Sequence, residues 1–186
     1  MTQHHHIRRM CLTCVILAWG ASSCNGPNSA SVVGSSTSYF SLVDYFDREA
    51  TRLQQLAPSI VKTVAKNGEQ ESKEIRIIDW REEFALFIDA DINKPAWQNS
   101  YHVDSSNVSA VIYKSIDPKL RTAQITVEKQ EDGSVTHIQI INKVSNMLYH
   151  TDEELDYYPD SLYRIVKRQG VRVIGESDYT VIGKWK

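Results

Sequence analysis

Leu120-Arg-Thr-Ala-Gln-Ile-Thr-Val-Glu-Lys129, Gln130-Glu-Asp-Gly133 and Ser134-Val-Thr-His-Ile-Gln-Ile-Ile-Asn-Lys-Val144 together decide the fold. The two outer runs are rich in β-branched residues, which fit the pleated surface of a sheet. The Glu131-Asp132-Gly133 segment between them supplies turn chemistry. The spacing predicts two neighbouring antiparallel strands.

The same texture extends both ways. Further strands are expected at Tyr101 to Asp104, Val108 to Ile116, Met147 to Tyr158, Leu162 to Ile174 and Tyr179 to Trp185. Asp117-Pro118 and Asn146 mark turns between them. Gly170 reads as a bulge or a further turn, and Leu162 to Lys167 suits either a strand or a short helix.

Upstream the period changes. Ser41-Leu-Val-Asp44 has capping-box spacing, with Ser38 as a competing cap. Phe40, Val43, Phe46, Ala50, Leu53 and Leu56 or Ala57 then recur at threes and fours, which predicts an amphipathic helix ended by Pro58. Ile60 to Ala65 and Glu74 to Ile78 flank Asn67-Gly68, a dipeptide suited to a hairpin turn with positive φ. Asp79-Trp-Arg-Glu82 repeats the capping pattern. It predicts a second helix to about Asp91, with Trp80, Phe84, Phe87 and Ile88 inward, Ile92 as a further candidate and Pro95 as its stop. The expected fold is α+β: two N-terminal helices packed on a curved, mostly antiparallel sheet of about seven to nine strands.

The N-terminus reads differently. His4-His5-His6 and Arg8-Arg9 make a polar, positive start, and Met10 to Trp19 is mostly apolar. That run is about half the roughly 20 residues that a spanning helix needs, so it reads as the apolar region of a signal peptide. Gly20-Ala-Ser-Ser23 is small, and Cys24 follows. Residues 1–24 resemble the signal peptides of bacterial lipoproteins. Ser22, Ser23 and Cys24 match their pattern, and Ala21 stands where a larger branched residue is usual. Ala21-Ser22-Ser23 also suits ordinary signal peptidase; both readings start the mature chain at Cys24. The resemblance implies lipidation of Cys24, with two or more acyl chains giving stable anchoring, and an envelope location, expected at the outer membrane. Residues 1–23 are then the signal, residues 24–37 the lipidated cysteine with an uncharged tether, and residues 38–186 one domain. Cys11 and Cys14 leave with the signal, so a disulfide is not expected in the mature domain and a hydrophobic core must hold it together.

Composition permits that core. Of 186 residues 41% are hydrophobic, and roughly 150 remain after the signal and tether. Losing Arg8 and Arg9 leaves 19 cationic side chains against 23 carboxylates, a formal charge of −4. This mild acidity gives no support for a nucleic-acid partner or for charge-driven adhesion to an anionic membrane.

The strand faces are less clean than a sheet with one wet face should show. Val108, Ala110, Ile112 and Ile116 share one face, with Val111 and Tyr113 opposite. Ile138, Ile140 and Val144 share another, with Val135 and Ile141 opposite. Both faces are therefore expected to be partly covered, and Val111, Tyr113 and Ile141 are the candidate lining of an apolar groove. This layout is weakly similar to the lipoprotein-carrier half-barrels of the envelope, in which an antiparallel sheet curls around helices. That similarity implies acyl-chain binding and assigns no residue here.

Candidate chemistry is sparse. Asp89-Ala-Asp91-Ile-Asn93 matches the first positions of a calcium loop, but Lys94 stands in place of its glycine and Ser100 in place of its closing glutamate, so it reads as a polar helix end. Asp152-Glu153-Glu154 with Asp156 is the densest acidic run and reads as a solvated strand or loop. Tyr157-Tyr158 and Tyr163 lie beside it, with Trp97 and Tyr101 elsewhere, and read as core and edge packing. His102, His137 and His150 fall on separate strands without ligand spacing. No metal, cofactor or catalytic residue is assigned. The leading expectation is a non-catalytic envelope module that binds a protein partner or assembles with one. A carrier or sensor of an apolar ligand is second, and an envelope hydrolase without a recognisable motif is third.

Overall fold

The computed structural model describes residues 39–186. Cys24, the signal and the tether lie outside the described residues. Ser41 Oγ accepts the backbone N–H of Asp44 at 3.0 Å and opens helix α1, Leu42–Leu56. Its buried stripe is Leu42, Phe46, Ala50 and Leu53. The stripe therefore starts at Leu42 rather than Phe40 or Val43, and Leu56 is exposed. Ala57 takes the left-handed conformation that ends the helix before Pro58.

A hairpin follows, with β1 at Ser59–Lys66 and β2 at Glu69–Arg76. Asn67 and Gly68 both have positive φ, as the tight turn requires. The expected second helix is two short pieces. Asp79 caps α2, Trp80–Glu83, through the Glu82 N–H at 3.0 Å, and the chain breaks at Phe84 before α3, Ala85–Asp89. Trp80, Phe84 and Phe87 are all fully buried, as the spacing predicts. Their packing supplies the stability that one turn of helix lacks by itself.

After a 3-10 turn at Pro95–Trp97 the chain is strand to its end. The strands are β3 (Tyr101–Asp104), β4 (Ala110–Ser115), β5 (Thr122–Lys129), β6 (Val135–Ser145), β7 (Tyr149–Tyr158), β8 (Leu162–Val171) and β9 (Gly175–Trp185). Gly170 lies inside β8 rather than at a turn, and Leu162 to Lys167 is strand. Among the described residues these strands form one antiparallel sheet in the order β2-β1-β9-β8-β7-β6-β5-β4-β3, open and curved. Seven strands form a meander, and the early hairpin joins it through β1 beside β9.

Register lines the side chains up in rows across the sheet. One row runs Gly183, Tyr163, Tyr157, Ile138, Val127 and Val111. The next runs Val181, Ile165, Leu155, Ile140, Ile125 and Tyr113. Helix α1 and the short helices pack on the first row through Tyr157 and Tyr163, and members of both rows belong to the one buried core. Phe46 meets Phe84, Phe87 and Tyr157 at ring-centroid distances of 5.1, 4.8 and 5.1 Å. Burying each such aromatic contributes about 1.5–3 kcal/mol.

Candidate functional site: a polar pocket beyond the helices

The third row on the helix-covered face changes character. It reads Lys66, Tyr179, Lys167, Glu153, Asn142 and Thr122, with no aliphatic side chain. Three of its members are nonetheless buried: Thr122 and Asn142 are each 1% exposed and Glu153 is 5%. Polar groups this far from water need partners.

Most have them. Arg121 Nη2 donates to Glu153 Oε2 at 2.8 Å, and Asn142 Nδ2 donates to the same oxygen at 2.8 Å. Thr122 Oγ1 donates to the Ala90 carbonyl at 3.2 Å, and the Tyr101 hydroxyl donates to the Thr122 carbonyl at 2.8 Å. The chain just beyond α3 is thereby tied to the start of β5. The β5–β6 register shifts between Thr122 and Gln124. Such a shift re-aims neighbouring side chains, and Arg121 stands just before it.

Two groups stay unpaired. Asn142 Oδ1 is buried with no hydrogen-bond partner. Its amide cannot turn over, because that would set the oxygen against the Glu153 carboxylate. Leaving such an acceptor unmade costs about 1–3 kcal/mol. Lys167 lies directly across from Glu153 in the register, yet it forms no ion pair among the described residues. Arg121, Asn142, Glu153 and Lys167 share a pocket of about 250 Å³ with Val144, Tyr149 and Thr151.

The groove expected from sequence is not formed by its three candidates. Val111 pairs with Val127 and Tyr113 with Ile125, so both lie on the helix-covered face. Tyr39 packs edge-on against Tyr113 at 5.9 Å. Ile141 pairs with Gln124 and Glu154 and faces the other way, into a shallow polar depression with Lys143, Asp152 and Arg168. An odd offset from Ile138 and Ile140 put Ile141 on the opposite face, and no offset within one strand can relate it to the face of Val111.

The acidic run is corrected as well. Alternation sends Glu153 into the pocket and Asp156 to the opposite face, where Asp156 is 1% exposed. There its carboxylate accepts from Arg164 Nη2 at 2.6 Å and lies 3.0 Å from His137 Nε2. Tyr158 stacks on the His137 ring at 4.1 Å. These groups are locked in a cross-strand ladder, with Glu128 and Glu154 at its edges. Asp91, the centre of the calcium-like spacing, is spent on the backbone of α1: its Oδ2 accepts from Leu42 and Val43 and its Oδ1 from Asn93.

Asn142, Arg121 and Lys167 carried no sequence signal of their own. Glu153 stood in the acidic run, and a period-2 reading with Leu155 and Tyr157 would have placed it inward. No protein-family model, curated protein or solved structure matches the chain.

Proposed function

We propose that this chain is a lipid-anchored, non-catalytic binding module of the bacterial cell envelope, held at the outer membrane through Cys24, with the polar pocket as its ligand site. The observation that carries the reading is the pocket of about 250 Å³ walled by the charged and polar side chains of Arg121, Asn142, Thr151, Glu153 and Lys167. A domain that needed this region only for stability would fill it with apolar side chains, as it does one row away.

The anchor is tested by detergent phase partitioning of the full chain expressed in bacteria. Wild type is expected in the detergent phase and Cys24→Ala in the aqueous phase. Equal partitioning of the two would overturn the anchor.

A carrier of acyl chains is the second reading, favoured by Val144 and Tyr149 in the pocket wall. Tyr157 is already covered by Phe46 of α1 and Leu155 is fully buried, so a long chain on these rows would have to displace the core packing. Native mass spectrometry of the purified protein separates the two. A small polar adduct supports the binding module, and a co-purifying lipid supports the carrier.

A further inference from the structure

We propose that the chain makes a second contact with the membrane through the adjoining β6–β7 and β8–β9 turns, whose side chains Met147, Leu148, Val173 and Ile174 enter the lipid surface. This rests on the lipid anchor at Cys24 and is independent of the pocket.

The two turns form one tip. Tyr149 pairs with Val171 at the shared end of β7 and β8, and just beyond them the Arg172 N–H donates to the Leu148 carbonyl at 3.0 Å. The four aliphatic side chains beside this bond are 70–93% exposed. Single exposed apolar residues are ordinary, but large ones gathered on a protrusion mark a contact.

The backbone of the tip suits lipid, where an unpaired polar group is costly. Asn146 Oδ1 accepts from the N–H groups of Leu148 and Tyr149 at 2.8 and 3.0 Å. The Asn146 N–H donates to the Tyr149 carbonyl at 2.9 Å, and the Ile174 N–H to the Val171 carbonyl at 3.0 Å. Charge is placed to match. Residues 145–149 and 173–175 carry none. Tyr149 and Arg172 stand at the base of the tip, where an amphipathic ring and a long cationic side chain suit the headgroup layer. The β5–β6 and β7–β8 turns close the opposite end of the same strands, and there Glu131, Asp132 and Asp160 are exposed. The meander thus has an apolar end and an acidic end, which sets its orientation on a membrane.

The anchor can reach. From Cys24 to Tyr39 is about 15 residues, at most about 50 Å of chain. Tyr39 packs on Tyr113, which shares a row with Ile140 and Ile165. From that row the tip is about 25–30 Å along the strands and about 10–20 Å across them. A tip contact is weak and reversible alone, as a single acyl chain is, and the tether makes it intramolecular.

The test is methyl NMR of the isotope-labelled full chain reconstituted in phosphatidylcholine nanodiscs. A nitroxide on the lipid acyl chain is expected to broaden the methyls of Met147, Leu148, Val173 and Ile174 and to spare exposed Val108, which lies toward the acidic end. A gadolinium chelate in the water should do the reverse. Moving one aliphatic side chain out of water shifts an equilibrium by about tenfold or more. Leu148→Asp with Ile174→Asp should therefore abolish the lipid broadening at Met147 and Val173. The thermal midpoint should not move, because both substituted side chains are exposed. If the chain stays on the discs but its tip methyls behave like Val108, or if the double variant keeps the lipid broadening, the membrane contact is overturned while the anchor stands; an open tip is then left for a protein partner. If the wild-type chain does not stay on the discs, the anchor falls and the tip contact with it.

Discussion

Asp91 Oδ2 accepts the backbone N–H of Leu42 at 2.7 Å, so a residue 49 positions downstream caps the first turn of α1. The same oxygen takes the Val43 N–H at 3.2 Å. Asn93 continues the clasp, accepting from the Tyr39 N–H at 2.9 Å through Oδ1. Leu42 is fully buried, so water cannot replace the lost acceptor. The carboxylate also sits where the helix dipole favours negative charge.

Asp91→Ala should therefore cost more than a local cap. Removing the Ser41 hydroxyl should cost about 1 kcal/mol. Removing Asp91 leaves buried N–H groups without partners and should cost about 2–4 kcal/mol, with Asp91→Asn between them. Urea unfolding midpoints of the three variants decide this. If Ser41→Ala is as damaging as Asp91→Ala, the long-range cap is not important.

Gly183 holds a different kind of constraint. It pairs with Tyr163 across β8 and β9, and a Cβ there would lie 2.1 Å from the ring. Tyr163 is fully buried and its hydroxyl is bonded to Glu83, which Lys62 also holds at 2.6 Å, so the ring cannot give way. Gly183→Ala should destabilise by about 1–3 kcal/mol, and most of that loss should vanish in a Tyr163→Ala background. Gly170 faces the His150 ring just as closely, but His150 is exposed and can swing aside. Gly170→Ala should be milder, and thermal unfolding showing equal losses at the two glycines would contradict the account.

The sequence was most legible where one signal acts locally. Ser41 and Asp79 were recognisable as caps, Asn67-Gly68 as a hairpin turn, and Trp80, Phe84 and Phe87 as inward residues. The continuity of the second helix was not legible, because aromatic packing can hold two single turns as well as one long helix. The site was hidden for another reason. Glu153 meets Asn142 and Lys167 only through cross-strand register, and a turn shifted by one residue would put it on the opposite face. The sequence marks the Asn146 turn without fixing which residues pair across it. Val111, Tyr113 and Ile141 failed as a set for the same reason, since each was judged on its own strand.

Buried phenols give the domain a weakness at alkaline pH. Burial pushes the hydroxyls of Tyr157 and Tyr163 far above the ordinary tyrosine range, and the Glu49 and Glu83 carboxylates they bond to push them further. Tyr45 and Tyr101 are raised as well, chiefly by burial. In the unfolded chain tyrosine loses its proton near pH 10. Above that value the unfolded state binds fewer protons than the folded one, so stability falls as pH rises. It is fully present below about pH 10 and then drops by about 1.4 kcal/mol per pH unit for each fully buried phenol. Tyr157→Phe should reduce that slope by one such contribution. It should also cost some stability at neutral pH, because Glu49 loses the hydroxyl that bonds it at 2.5 Å and keeps Arg52. Phenolate absorbance and far-ultraviolet circular dichroism, followed together from pH 9 to about pH 12, should change in one transition for these buried tyrosines. Full ionisation of all the tyrosines near pH 10 with the sheet spectrum intact would show that the phenols are not held as described.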